Sequence, residues 1–238
     1  ALALLFVGIA QVDKRVRDIT NFGTPNDVNN NLKSISKSYA KLGCKIERKS
    51  DLNAAVLNIL SRVQFYLTLL NGRALECGEL DSWVSRNVFE LLVIAKAILK
   101  DDTHLLNWMG QRVKDEIDIL NEVIRLANGD ENDNTKKLNN RIAELSQMAT
   151  KHGIELKRQF NMADTSKLVG LEQEYLTNYK SLSKMTHPSS FSVNASSEIR
   201  DNWNMKNRTI ITLQIHLGVL YKSIADYYDV DDSSYGKD

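Results

Sequence analysis

The chain lacks most of what interrupts a helix or staples a fold. Its prolines are Pro25 and Pro188 and its glycines number eleven in 238 residues, so long stretches run without a breaker. Cys44 and Cys77 have neither metal-ligand spacing nor a partner set, which excludes a disulfide framework and a zinc site and fits a reduced, cytoplasmic compartment. Strand-like alternations of useful length, an internal repeat and a Gly-rich phosphate loop are also missing, and with them a nucleotide fold of the α/β kind. A formal net charge of +1 excludes a uniformly basic nucleic-acid binder but not a local basic patch. The apolar opening ALALLFVGIA is too short to span a bilayer, and no cofactor motif is present.

What is present is helical period. At 42% hydrophobic and 26% charged residues the chain reads as a globular all-α protein: one domain over 1–228, a single bundle of eight or nine helices, then an acidic tail over 229–238 with disorder as its default. Leu2, Leu5, Phe6, Ile9, Val12, Val16 and Ile19 phase a first helix. Val28, Leu32, Ile35, Tyr39, Leu42 and Ile46 phase a second, after a cap at Asn26 or Asp27. A third starts at Ser50 or Asp51, and a central one runs from about Asp81 to Lys100. A long helix follows Asp101-Asp102-Thr103 and closes at Gly129, and another covers about Thr135 to His152 before Gly153. A short helix is expected within 154–161, one long helix from the cap Asp164-Thr165-Ser166 to His187-Pro188, and a last one from Ser197.

The central helix carries the strongest chemical signal. Val88, Leu91, Leu92, Ala95 and Leu99 cover one side, and Phe89, Val93, Ile94 and Ala97 the side that also holds Arg86 and Glu90. Charges inside an apolar helix must be paired, so Arg86 and Glu90, four residues apart, are expected to be a buried pair.

Two other constellations stand out. Tyr179, Ser183 and His187 repeat every four residues and so line one face, but a serine inside an ordinary helix lacks the strained elbow and oxyanion donors of acyl transfer. His187 before Pro188 suits a residue that satisfies carbonyls at a helix end. Lys33, Lys37, Lys41, Lys45 and Lys49 step by four opposite the apolar face, and Asp27–Lys49 holds six positive and two negative charges, net +4. Such a ridge is either a solvated face or a contact for phosphates or an acidic partner. The tail, with Asp226, Asp229, Asp231, Asp232 and Asp238 against Lys237, is one such acidic segment.

The run Arg86-Asn87-Val88-Phe89-Glu90, followed by Tyr179, Ser183 and His187-Pro188-Ser189, resembles an uncharacterised group of bacterial all-helical proteins that pair an R-x3-E helix with a Y-x3-S-x3-H-P-S segment. The resemblance covers roughly 81–191 and implies a polar pocket of Arg86, Asn87, Glu90, Tyr179, Ser183 and His187 inside a helical bundle. It brings no reaction with it. Families of this look are related to HEPN domains, whose ribonuclease members use an Arg-x4-6-His motif. Arg86 has no such histidine, and Arg208 and His216 would stand roughly 80° apart around a helix and about 12 Å along it.

The expected function is a binding or accessory module recognising a protein or nucleic-acid partner, with homodimerisation or RNA or DNA contact through the basic helix and no membrane association. The alternative is a HEPN-like ribonuclease or other phosphate-directed enzyme using Arg86, Glu90 and His187, with a histidine as proton carrier.

Overall fold

A computed structural model describes Thr20 and residues 23–127, 132–156, 160–187, 202–231, 233, 235 and 236. Every regular element among them is helical: α1 (Pro25–Lys45), α2 (Asp51–Leu69), α3 (Gly78–Lys100), α4 (Asp102–Leu126), α5 (Asp133–Lys151), α6 (Met162–Leu168), α7 (Glu172–Glu174), the π-helix π1 (Tyr175–Tyr179), α8 (Lys180–Thr186) and α9 (Trp203–Tyr227). The all-α fold class therefore holds. The opening apolar helix expected before residue 20 lies outside the described residues, as does the segment 188–201.

The chain divides into two compact units, residues 1–99 with 163–238, and residues 100–162. In the first, Val88, Phe89, Leu92 and Val93 of α3 are sealed, as are Ile35, Tyr39 and Leu42 of α1, Val56, Ile59 and Val63 of α2, and Leu213, Leu217 and Leu220 of α9. α1 opens on a reciprocal cap, in which the Asp27 N–H donates to Thr24 Oγ1 and the Thr24 N–H to Asp27 Oδ2, with Pro25 at its first position. Gln64 joins α2 to Ser36 of α1, and Tyr39 donates from its hydroxyl to the Leu217 carbonyl of α9 at 2.6 Å.

The second unit is a hairpin of α4 and α5. Val113, Ile117, Leu145, Ala149 and Ile154 form its core, and Arg141 grips Glu116 across it at 2.9 Å. Gly110 is required where the chain returns over α4, because a Cβ there would stand 2.1 Å from the Glu155 carbonyl oxygen. Gly153, at φ +64°, ends α5 with bonds from Ile154 N–H to the Ala149 carbonyl and from Gly153 N–H to the Thr150 carbonyl.

The structure departs from the sequence expectations at four places. Ile154 to Leu156 are not helical, since this strip packs over Gly110. The single helix expected from Asp164 to His187 is broken after α6 by Gly170 at φ +76°, where Leu171 N–H reaches the Ser166 carbonyl, and it resumes through π1. α1 ends at Lys45, so Lys49 lies beyond it and pairs with Glu47. The tail expected to be disordered contributes Tyr235, which is buried against Tyr221 at 4.4 Å, while the Gly236 N–H donates to Ser38 Oγ. An aromatic ring amid charges is enough to dock a polar segment once a core face is open to it.

Candidate functional site

One turn of α3 and the π1–α8 segment bring four of the expected residues together. Arg86 Nη2 lies 3.1 Å from Glu90 Oε1 and donates to the Tyr179 hydroxyl at 3.2 Å. That hydroxyl in turn donates to Glu90 Oε1 at 2.8 Å, closing a three-membered ring of contacts. Arg86 Nη1 lies 3.1 Å from His187 Nε2. A guanidinium can only donate, so Nε2 is the acceptor here and the ring carries its proton on Nδ1. The Arg86 guanidinium also sits 5.3 Å from the centre of the Tyr179 ring.

The π-helix sets this register. Its wider turn follows α7 directly and delivers Tyr179 against α3, stacked on Tyr175 at 5.1 Å and packed on Phe89 at 5.5 Å; such segments recur where a side chain has to be aimed. Burial pushes the Tyr179 hydroxyl above the usual tyrosine range, with the bond to Glu90 acting in the same direction and that from Arg86 against it. Burial pulls the Arg86 guanidinium down, but the Tyr179 bond and the Glu90 charge outweigh it and hold Arg86 more firmly protonated than usual.

The pocket differs from the expected one in two respects. The Arg86 and Glu90 side chains keep 22% and 28% of their surface exposed, so the pair is half-buried at a helix surface rather than sealed; π1 and α8 cover only one flank. Asn87 is turned away from Tyr179, accepting from Tyr66 of α2 and donating to the Trp83 carbonyl, because one residue round α3 faces α2 instead of π1. Ser183 takes part through its backbone, its carbonyl accepting from the His187 N–H and the Thr186 hydroxyl. His187 is exposed.

Two buried groups on α3 and α9 were passed over in the sequence. Asp81 is fully sealed; its Oδ2 accepts from the Leu75 N–H at 3.1 Å, while Oδ1 has no hydrogen-bond partner. Burial pushes its carboxyl up to about 7, with Glu76 adding to the rise and the Leu75 bond and Lys206 opposing it. Leu75 sits at φ +71°, a conformation that costs a leucine about 1–2 kcal/mol and is held by that bond. His216, sealed beside Phe89 at 5.1 Å, has an unpartnered Nδ1 and is pushed down to about 4 by burial. The signal was available: Asp81 shares the phase of Val84, Val88 and Leu92, and His216 that of Leu213 and Leu220.

The lysine row stands apart from this cluster. Lys33, Lys37, Lys41 and Lys45 are exposed along α1, and Lys33 and Lys37 border a groove of about 280 Å³ between α1 and α2, lined also by Leu32, Ser36, Leu67 and Thr68. Among the described residues no group of three or more His, Cys, Asp or Glu side chains is placed to hold a metal ion, and no helix is long and apolar enough to cross a membrane.

Residues 84–204, just over half of the chain, match a protein-family model and contain the whole Arg86 cluster. The chain belongs to the family of unknown function DUF5677. No curated protein and no solved structure matches it. The DUF5677 match takes in Arg86, Glu90, Tyr179, Ser183 and His187 and leaves the lysine row and Asp81 outside. The resemblance of the R-x3-E and Y-x3-S-x3-H-P-S runs to an uncharacterised helical family is thereby placed in DUF5677.

Proposed function

We propose that this DUF5677 chain is an α-helical binding module whose basic helix α1 docks the phosphate backbone of a nucleic acid. The observation that carries the reading is the row of four exposed lysines at successive turns of α1, on a helix whose other side is fixed in the core by Val28, Leu32, Ile35, Tyr39 and Leu42. Successive lysines rise by roughly 6 Å along the axis, so the row offers a line of charges to a polyanion. Arg86, by contrast, already has its charge answered by Glu90 and its donors engaged by Tyr179 and His187.

Binding of a labelled oligonucleotide at graded salt tests this. Four phosphate contacts give a slope of log affinity against log salt of roughly −3 to −4. Lys37→Glu, Lys41→Glu and Lys45→Glu together should abolish binding and leave helicity unchanged. Equal binding of the parent to polyglutamate would instead mark α1 as a dock for an acidic protein, and no binding at low salt would remove the reading.

A second reading, a HEPN-like ribonuclease or other phosphate-directed enzyme, is favoured by one observation: Tyr179 and His187 meet Arg86 within the family-matched segment. It requires cleavage of RNA by the parent and its loss in folded His187→Gln, which keeps hydrogen bonding but cannot shuttle a proton near neutral pH. The expected result is no cleavage by either.

A further inference from the structure

The outer face of α2 carries aromatic surface that the core does not use. Phe65 is 45% exposed and Trp83, beside it on α3, 38%. The Arg62 guanidinium lies 5.1 Å from the centre of the Phe65 ring and 5.4 Å from that of Tyr66. Tyr66 is buried behind them and meets Trp83 edge-on at 5.3 Å. Exposed rings on either side of a guanidinium therefore form one patch anchored by a buried tyrosine.

This patch lies one helix away from the lysine row. Gln64, adjacent to Phe65, bonds Ser36 of α1, and Thr68 and Leu67 share the groove with Lys33 and Lys37. The distance across α2 is about 10 Å. The charge is also of one sign. The sequence holds no Asp or Glu between Asp27 and Glu47, nor between Asp51 and Glu76, so neither α1 beyond its first turn nor α2 beyond its first residue presents a carboxylate to an anion lying there.

Cations tracking a phosphate backbone beside rings that offer their faces are what holds an unpaired strand, since every base has a face to stack and a single strand leaves it free. In a duplex those faces are taken by neighbouring bases. We infer that the α1–α2 face binds single-stranded nucleic acid, with phosphates on Lys33 and Lys37 and unpaired bases stacked on Phe65 and Trp83. The inference rests on the reading of α1 as a phosphate dock and adds the class of strand and the residues that select it.

The test compares a labelled single strand of about 12 nucleotides, within the span one such site covers, with the same sequence as a duplex, using the full chain. The single strand should bind more tightly. Phe65→Ala and Trp83→Ala should each raise its Kd by roughly 5- to 150-fold, the value of one lost stacking contact, without changing the salt slope, because no lysine is removed. Phe65→Trp should restore parental binding, which a merely structural role for Phe65 would not predict. If the duplex binds as tightly as the single strand, or if both alanine variants keep parental affinity while the triple lysine variant loses it, the stacking inference is overturned and the phosphate dock stands. If the parent binds neither strand at low salt, both fall.

Discussion

Asp81 and the Arg86–Glu90 pair sit five to nine residues apart on α3, yet they solve the problem of a charge near a core in opposite ways. Arg86 and Glu90 answer each other, recruit Tyr179, and keep roughly a quarter of their surface in water. Asp81 has no exposed surface and a single hydrogen bond, from the Leu75 N–H, so it is pushed toward its neutral form. Pairing permits a charge at a half-open surface, whereas sealing without a full set of partners removes the charge. The residue that looked ordinary in the sequence is therefore the more strongly perturbed.

The sharpest way to break this contrast is at Asp81. A carboxyl whose folded-state proton affinity is raised favours folding below its unfolded value near 3.9 and loses that advantage as pH climbs to about 7. Asp81→Asn keeps an acceptor for Leu75 and cannot ionise. Relative to the parent it should gain stability as pH rises from about 4 to 8, reaching about 2–4 kcal/mol, read as the difference in urea midpoints across that range. A difference that does not change with pH would show that Asp81 is not raised.

Arg86→Ala and Glu90→Ala should each cost about 1–2 kcal/mol, less than the 3–5 kcal/mol of a stranded, fully buried charge, because water reaches the partner left behind. A double-mutant cycle should show coupling between them. Losses above about 3 kcal/mol would mean the pair is effectively sealed, and the contrast with Asp81 would collapse. Smaller still is Tyr179→Phe, which deletes a hydroxyl that donates to Glu90 and accepts from Arg86; about 1 kcal/mol is expected in thermal or urea unfolding. His187→Gln, at an exposed site with one contact to Arg86, should stay within about 0.5 kcal/mol.

The basic row of α1 was legible because it depends on one helix alone: four-residue spacing and an apolar opposite face fix which way Lys33, Lys37, Lys41 and Lys45 point. The end of that row was not, since the stop at Lys45 and the pairing of Lys49 with Glu47 belong to the turn that follows. Arg86 and Glu90 were readable as a pair and misread as sealed, because exposure is decided by what packs beside α3. Asn87 was assigned to the wrong neighbour for the same reason. Asp81 was taken as a helix start, and only the 70–77 turn folding back through Leu75 shows why a carboxylate is in the core phase. Tyr235 was hidden by the acidic residues around it.

π1 has a consequence for how this chain can change length. A π turn holds one residue more than the α-helical ladder needs, so it is the place where a deletion would improve local hydrogen bonding. Removing one residue from 175–178 would let α7 run straight into α8 as regular helix, and it would also rotate everything after it by about 100° relative to what precedes it. Tyr179 would swing off Glu90 and Leu182 would leave the core. The helix would become more regular while the cluster on α3 lost its hydroxyl, so the surplus residue in this segment acts as a spacer for the site, and relatives that lack it would need a different residue to reach Arg86.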